Sequence, residues 1–336
     1  MQNVLFFDSD HVLNEFISQH PNNPFNPILL NRSLNSLSKS DLRPYLNCQI
    51  ISCFTHSEIL SIQKLDLFPD LKLIATRSTG FNHIDLSYCQ KRNIIVENVP
   101  NYGAVTVAEF AFALILNLSR KIISAQDDMK QNRINIKKYM GFDLFGKTIG
   151  IIGTGSIGQH MIQLARGFGM SILAYDLFPK KNLKQFYVSD IQEIFQQSDI
   201  ISLHIPSTKN NRHLINKKAF QQMKKGVIII NTARGDLIDT QALFTAIKNG
   251  TVGGAGLDVL ENEDFLLHND ILTEQHYTDN DFLLDSAMNL KLLQFKNVIA
   301  TPHIAFDSID ALDRINQTTW NNILSFIQGK IINQVR

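Results

Sequence analysis

The sequence predicts an α/β protein made of two doubly wound parallel-sheet domains. Three observations carry that prediction. Short apolar runs alternate with helix-like stretches along most of the 336 residues. One strand-to-helix turn, residues 153–158, has a G-x-G-x-x-G spacing. An earlier alternation of the same kind lacks that spacing, and the chain is long enough for two domains.

The first strand candidates are residues 3–7, 49–53, 72–76 and 94–96, each separated from the next by a more polar or helix-like stretch. Residues 19–40 are rich in Asn, Ser and Pro (His20-Pro-Asn-Asn-Pro-Phe-Asn-Pro) and read as a loop plus a weak helix. After the third run comes Arg77-Ser-Thr-Gly-Phe-Asn-His-Ile-Asp85. Gly80 can turn backbone N–H groups toward a small anion there, with an ordinary strand–helix turn as the plain alternative. Val99-Pro-Asn-Tyr102 ends the first domain, since Pro100 favours extended chain before it. Residues 104–119 are apolar almost all round, so a helix here must be buried between domains or against a subunit. Glu109 within it reads as a paired structural acid.

Residues 147–158 are the centre of the second domain. Ile149, Ile151 and Ile152 form a short run suited to a strand buried on both faces. Gly153, Gly155 and Gly158 follow. The first lets the chain turn sharply, the second lets a pyrophosphate lie against bare backbone, and the third lets the next helix pack close. Ile157, Met161, Leu164, Ala165 and Phe168 then recur at helical spacing. A helix N-terminus at this point offers N–H groups and a positive dipole end to phosphate. Asp176 lies 18 positions after Gly158 (176 − 158), at the end of the next strand. It can accept from a ribose 2′-OH and repels a 2′-phosphate, which favours NAD over NADP. Lys180 and Lys181 follow closely and soften that preference.

Further strand candidates are 199–203, 227–231, 256–259 and 297–301. Ligands of such a sheet bind beyond the carboxyl ends of its strands. Asp176, His204, Thr232 to Arg234, Asp258 and His303 sit at those ends. Residues 307–336 are helix-like and return to the first domain.

Net charge is +1, which leaves no electrostatic case for nucleic acid or an anionic membrane as partner. The N-terminus reads as a strand rather than a signal peptide, and no apolar run approaches transmembrane length. Cys48, Cys53 and Cys89 show neither metal spacing nor a disulfide framework. The expectation is a cytoplasmic protein with no metal site.

Together these residues resemble the D-isomer-specific 2-hydroxyacid dehydrogenases, and within them the NAD-dependent D-lactate dehydrogenase branch. The matching pieces are Ser78-Thr-Gly-Phe-Asn-His-Ile-Asp85, Gly153-Thr-Gly-Ser-Ile-Gly158, Ser202-Leu-His-Ile-Pro206, Asn231-Thr-Ala-Arg-Gly235, Leu257-Asp-Val-Leu-Glu-Asn-Glu263 and Thr301-Pro-His-Ile-Ala-Phe306. The resemblance implies a Rossmann-type NAD domain over 102–301. It implies a flavodoxin-like substrate domain from 1–101 and 302–336, an active site in the cleft, and a homodimer.

The family's catalytic arginine falls on Arg234, its glutamate on Glu263 and its histidine on His303. The resemblance makes Arg234 the binder of a substrate carboxylate and His303 the general acid or base, with Glu263 favouring the protonated imidazole. Glu261 and Asp264 are nearby rivals for the acid's place. For cofactor contacts the resemblance points to Ser156 and Ile157 at the pyrophosphate, and to Ile205, Pro206 and Asn211 on the adenosine side. Around the nicotinamide it points to Thr232, Ala233 and Asp258. For substrate it points to the amides of Thr79 and Gly80 and to pocket walls at Tyr102 and Phe306.

Phe306 stands where phosphoglycerate- and glyoxylate-type relatives carry glycine, which narrows the pocket toward an apolar side chain such as that of pyruvate. Phe110 stands where many relatives carry a histidine. The interval from Glu263 to His303, 40 positions (303 − 263), is long for the family, and its polar stretch 272–282 reads as a surface segment or a lid. His268 and His276 there read as solvated surface groups. The expected reaction is reversible hydride transfer between NADH and a small 2-oxoacid, pyruvate/D-lactate first. The rivals are glyoxylate, hydroxypyruvate or another 2-oxoacid as substrate, and an NAD-sensing, corepressor-like binding protein.

Overall fold

The computed structural model describes residues 1–54, 60–81, 83–263 and 280–335. Most of the polar stretch 272–282, with Asp264, His268 and His276, lies outside the described residues. The chain splits into two compact units, Met1–Tyr102 with Asp307–Arg336, and Gly103–Phe306. The crossings differ slightly from the expected 102 and 301. Tyr102 stays with the first unit, where its carbonyl accepts from Arg314 Nε at 2.8 Å. Residues 302–306 stay with the second, because the Asp258 carboxylate binds the amides of Ile304 and Ala305 at 2.9 and 2.8 Å.

The first unit holds a parallel sheet of β1 (Gln2–Phe6), β2 (Phe25–Leu29), β3 (Ile50–Cys53), β4 (Leu73–Thr76) and β5 (Ile95–Glu97). Their order, β2-β1-β3-β4-β5, is that of flavodoxin-like sheets. Strand β2 corrects the reading of residues 19–40 as loop and weak helix. Its Asn-Pro composition hides a strand because Pro27 cannot donate to a ladder. At a sheet edge that costs nothing on the solvent side. Phe25 is fully buried and meets the Trp320 ring at 4.5 Å between centroids, so aromatic burial drives this strand. Trp320 comes from the helix Ile309–Ile327, which returns the chain's end to this core beside Val4, Phe6 and Phe16. The buried Glu97 then accepts from the amides of Ile332 and Asn333 at 2.8 and 3.1 Å, and Gln334 bridges to Glu97.

The second unit holds a parallel sheet of β6 (Thr148–Ile152), β7 (Ser171–Tyr175), β8 (Ile200–Leu203), β9 (Val227–Asn231), β10 (Val252–Leu257) and β11 (Val298–Ala300). Their order is β11-β10-β9-β8-β6-β7. Beyond β7, Tyr187 forms an isolated parallel bridge with Ala174. Taken as the remnant of a third strand, that bridge restores the 3-2-1-4-5-6 order of dinucleotide-binding sheets, with β11 added outside. The order reverses between β6 and β8, so the ligand crevice belongs at their carboxyl ends. Strands β8 and β9 are buried along their whole length, as their isoleucine runs require.

The helix Ala104–Arg120 lays Ala108, Ala111, Leu114 and Ile115 into the second unit's core. Gly256 of β10 makes room for it, since a Cβ there would stand 2.9 Å from Leu114 Cβ. Its other side, with Val105, Glu109 and Ala113, is exposed, and among the described residues Glu109 forms no ion pair. The three cysteines are free and buried, and burial pushes the Cys53 thiol up to about 12.

Candidate active site

The three fingerprint glycines answer three different constraints. Gly153 has φ +97°, and a Cβ there would meet the His204 carbonyl oxygen at 2.4 Å. Gly158 lies so close to the turn that its Cβ would stand 2.0 Å from the Gly153 carbonyl oxygen. Gly155, by contrast, would meet nothing within 4 Å. It is the N-cap of the helix Ser156–Gly167 and makes no side-chain cap bond, and a helix N-terminus presents backbone N–H groups and a positive dipole end to an anion. This chemistry fits a dinucleotide pyrophosphate.

Asp176 sits just past β7, half-buried. Its Oδ2 accepts from Thr154 N at 2.6 Å and Thr154 Oγ1 at 2.8 Å, and its Oδ1 from Phe178 N at 2.8 Å. Burial alone raises its carboxyl. The hydrogen bonds from Phe178 and Thr154 and the charge of Lys180 outweigh burial and hold the carboxyl below its ordinary value. The group is therefore an anion with one acceptor site, on Oδ1, left for a ribose hydroxyl.

The other strand ends are ordered by local bonds. After β8, His204 Nε2 pairs with Ser202 Oγ at 2.8 Å, and burial pushes its pKa down to about 3, so it is a neutral packed residue. The Ile205 side chain packs where a Gly153 Cβ would lie, at 2.6 Å from that position. Asn211 closes the following loop, accepting from Thr208 N at 2.6 Å and donating to Pro206 O at 2.8 Å. After β9, Ala233 N donates to Asn231 Oδ1 at 3.0 Å, and Thr232 is buried beside it. Arg234 comes next, exposed, its Nη1 donating to the Ala233 carbonyl at 2.6 Å.

After β10, Asp258 is 1% exposed and organises the turn beyond β11. It accepts from Thr301 Oγ1 at 2.6 Å, and its carbonyl accepts from His303 N at 3.0 Å. With its bonds to Ile304 and Ala305, this sets His303 in a left-handed conformation, φ +56°. His303 Nδ1 then meets Glu263 Oε1 at 2.8 Å, while Glu263 Oε2 accepts from Leu260 N at 3.0 Å. With Nδ1–H donating to the carboxylate, Nε2 is the nitrogen left to exchange a proton. The Glu263 hydrogen bond raises the imidazole pKa. Burial opposes it, the charges of Glu263 and Asp258 add to it and that of Arg234 subtracts, with a net rise. Arg234, Glu263 and His303 thus stand at the ends of the neighbouring strands β9, β10 and β11, close enough for Arg234 to act on His303 through its charge. Glu261 is not the histidine's partner. It is buried, paired with His213 at 2.7 Å and Arg212 at 3.1 Å.

In the first unit, the carbonyls of Ser78, Thr79 and Gly80 are all taken: by Val99 N at 2.9 Å, Asn98 Nδ2 at 2.8 Å and Ser78 Oγ at 2.6 Å. In trans peptides the amide points opposite its carbonyl, so the amides of Thr79, Gly80 and Phe81 each point away from the bond that their own peptide carbonyl accepts. Arg77, within the same motif, is structural: buried, it donates to the carbonyls of Phe7 at 2.6 Å and Asp8 at 2.8 Å. Tyr102 and Phe306 are half-buried at the ends of their respective units.

Sequence reasoning missed Thr154, Tyr187 and the Glu261 cluster. Thr154 lies inside the fingerprint, where only the glycines carry a signal. Its contact with Tyr187 spans 33 positions, and nothing local marks it.

Comparison with known proteins agrees with this geometry. The family description "D-isomer specific 2-hydroxyacid dehydrogenase, NAD binding domain" matches residues 112–305. The chain is 40% identical over 262 residues to D-lactate dehydrogenase of Escherichia coli strain K12, covering 77% of each. The apo structure of D-lactate dehydrogenase from Escherichia coli superposes with TM-score 0.83 at 32% identity, covering 100% of both chains. D-lactate dehydrogenase from Aquifex aeolicus, solved with NAD and lactic acid, has TM-score 0.78 at 34% identity, covering 97% of this chain and 96% of that one. With its glycine turn, ionised Asp176 and Glu263–His303 pair, the chain belongs to the D-isomer specific 2-hydroxyacid dehydrogenase family, as an NAD-dependent oxidoreductase acting on a CH–OH group.

Proposed function

We propose that the protein interconverts a small 2-oxoacid and its D-2-hydroxyacid, with pyruvate and D-lactate as the first pair. The observation that carries this reading is the Glu263–His303 hydrogen bond of 2.8 Å, which favours the protonated imidazole and leaves Nε2 as the nitrogen to exchange a proton. When bound, a nicotinamide cofactor would supply hydride-transfer chemistry for the substrate's C2. Gly153, Gly155, Ser156, Ile157 and Gly158 would hold its pyrophosphate and Asp176 its ribose. Ile205, Pro206 and Asn211 would line the adenosine side, with Thr232, Ala233 and Asp258 at the ring.

In reduction, His303 Nε2–H gives its proton to the developing alkoxide, while Glu263 holds the imidazolium that donates it. In oxidation, neutral His303 takes the hydroxyl proton. A positioned acid of this kind contributes roughly 10²–10⁴-fold in rate. Arg234 offers a planar fork to the substrate carboxylate and draws charge from the 2-oxo group. The amides of Thr79 and Gly80 suit a carboxylate as well. Phe306, half-buried, suits an apolar substrate side chain, which ranks pyruvate above polar 2-oxoacids.

In this reading the protein works in the cytoplasm as a homodimer. Three free buried cysteines support the first. The exposed Val105, Ile122 and Ile123, at 43%, 52% and 41%, support the second. The test is NADH oxidation with pyruvate, glyoxylate, hydroxypyruvate and branched 2-oxoacids, for the wild type and His303→Ala. The expected result is the highest kcat/KM with pyruvate, lost in the variant. A higher value with glyoxylate or hydroxypyruvate would overturn the substrate, and full activity of the variant would overturn the role of His303.

A further inference from the structure

We infer that Tyr187 is a positioning residue for cofactor choice, acting through Thr154 on Asp176. The inference rests on the reading of Asp176 as the group that meets the ribose.

Three hydrogen bonds define a chain whose direction is fixed by chemistry. The Lys180 amide lies 2.9 Å from Tyr187 Oη and can only donate, so the phenol oxygen accepts there. The Asp176 carboxylate is ionised and can only accept, so Thr154 Oγ1, at 2.8 Å, donates to it. Thr154 has a single hydroxyl proton, now spent. The 2.6 Å contact between Thr154 Oγ1 and Tyr187 Oη must therefore carry the tyrosine's proton toward the threonine. The sequence is Lys180 N–H to Tyr187, Tyr187 O–H to Thr154, Thr154 O–H to Asp176.

The location gives the chain its consequence. Thr154 is fully buried inside the glycine turn, so it is a fixed point. Tyr187 is anchored by its bridge to Ala174 and by the Val188 N to Ala174 O bond of 3.0 Å. Between them runs the loop 177–180, where Leu177 and Phe178 are 76% and 84% exposed. With so little packing of its own, that loop is held mainly by the bonds from Lys180 to Tyr187 and from Phe178 to Asp176. The Tyr187 hydroxyl thus keeps the Asp176 carboxylate aimed and keeps the backbone carrying Lys180 and Lys181 in one place. Without it, Asp176 keeps its bonds from the Thr154 and Phe178 amides, but the Thr154 hydroxyl is no longer held toward it and the loop carrying the two lysines is freer to approach a 2′-phosphate, the group that the aimed carboxylate repels.

The experiment measures kcat/KM for NADH and for NADPH, with one 2-oxoacid, in Tyr187→Phe, Thr154→Val, Thr154→Ser and Asp176→Ala. Tyr187→Phe should raise KM for NADH three- to tenfold with kcat within twofold. It should lower the NADH-to-NADPH preference at least fivefold. Thr154→Val should lower the preference likewise, and Thr154→Ser, which keeps the hydroxyl, should restore it. A role in packing alone would depress both cofactors equally and leave the ratio unmoved, which overturns the inference. Should Tyr187→Phe fail to fold, the Thr154 pair decides. If Asp176→Ala leaves the ratio unchanged, the ribose reading itself fails. If Asp176→Ala changes it and both Tyr187→Phe and Thr154→Val do not, only the inference fails.

Discussion

Alanine at Gly158 and at Gly155, one at a time, should separate the packing duty of the fingerprint from its ligand duty. A Cβ at Gly158 would stand 2.0 Å from the Gly153 carbonyl oxygen, against 3.4 Å for the start of ordinary contact. The turn must open by about 1.4 Å (3.4 − 2.0), because the Cβ is fixed to the helix backbone and the carbonyl it meets is backbone too, which cannot swing aside. Overpacking of this kind costs roughly 1–3 kcal/mol or more. For a unit of this size each kcal/mol lowers the melting point by roughly 2–4 °C, so Gly158→Ala should melt roughly 2–12 °C below the wild type. At Gly155 nothing lies within 4 Å, and φ is −60°, which alanine adopts. Restricting the unfolded chain stabilises by about 0.4–1 kcal/mol, and losing a favoured N-cap residue costs a similar amount. Gly155→Ala should therefore melt within about 3 °C of the wild type. Its methyl nevertheless stands on the surface offered to pyrophosphate, so the NADH Kd should rise at least about tenfold, or ~1.4 kcal/mol. Thermal unfolding without cofactor and an NADH fluorescence titration give the two readouts. Wild-type NADH affinity in Gly155→Ala, or an unshifted melt in Gly158→Ala, would refute the division of labour.

Glu263→Gln removes the main influence that raises the His303 pKa. Oxoacid reduction needs the protonated imidazole, so the alkaline limb of its pH–rate profile should move to lower pH; a lowered plateau with an unmoved limb would count against the pair. Asp258→Ala strips acceptors from Thr301, Ile304 and Ala305 around a buried site. Each orphaned group costs about 1–3 kcal/mol, so a urea titration should show a loss of roughly 3 kcal/mol or more, with activity falling as the His303 turn loosens. His83 and His204 are pushed down by burial to about 4 and about 3 from an ordinary 6.5. The stability they contribute is whole above the unfolded value and fades as pH falls toward the folded ones, by about 2 kcal/mol each at pH 5. Urea midpoints at neutral pH and pH 5 should show that slope in the wild type, and a reduced slope in His83→Gln and His204→Gln.

Much of the candidate site was legible in advance because it is written in short segments. The glycine spacing, Asp176, and the strand-end positions of Arg234 and His303 follow from local pattern alone. The resemblance put the family's glutamate on Glu263 with Glu261 as a rival, and the structure pairs Glu263 with His303 while Glu261 is held by Arg212 and His213, which lie 49 and 48 positions away from it. Strand β2 went unread because its Pro27 and asparagines obey edge-strand rules, and its driving contact, Phe25 on Trp320, joins opposite ends of the chain.

By itself, then, the amino-acid order determined the two alternations of strand and helix, the dinucleotide turn and the acidic, basic and imidazole groups beyond it. Each depends on neighbours within a few residues, where periodicity and glycine geometry act. Only the tertiary structure decided that Glu261 is taken by Arg212 and His213, that Asp258 shapes the turn beneath His303, and that Tyr187 reaches Asp176 through Thr154. Those outcomes rest on hydrogen bonds between segments tens of residues apart, whose partners are selected by sheet order and burial rather than by anything adjacent in the chain.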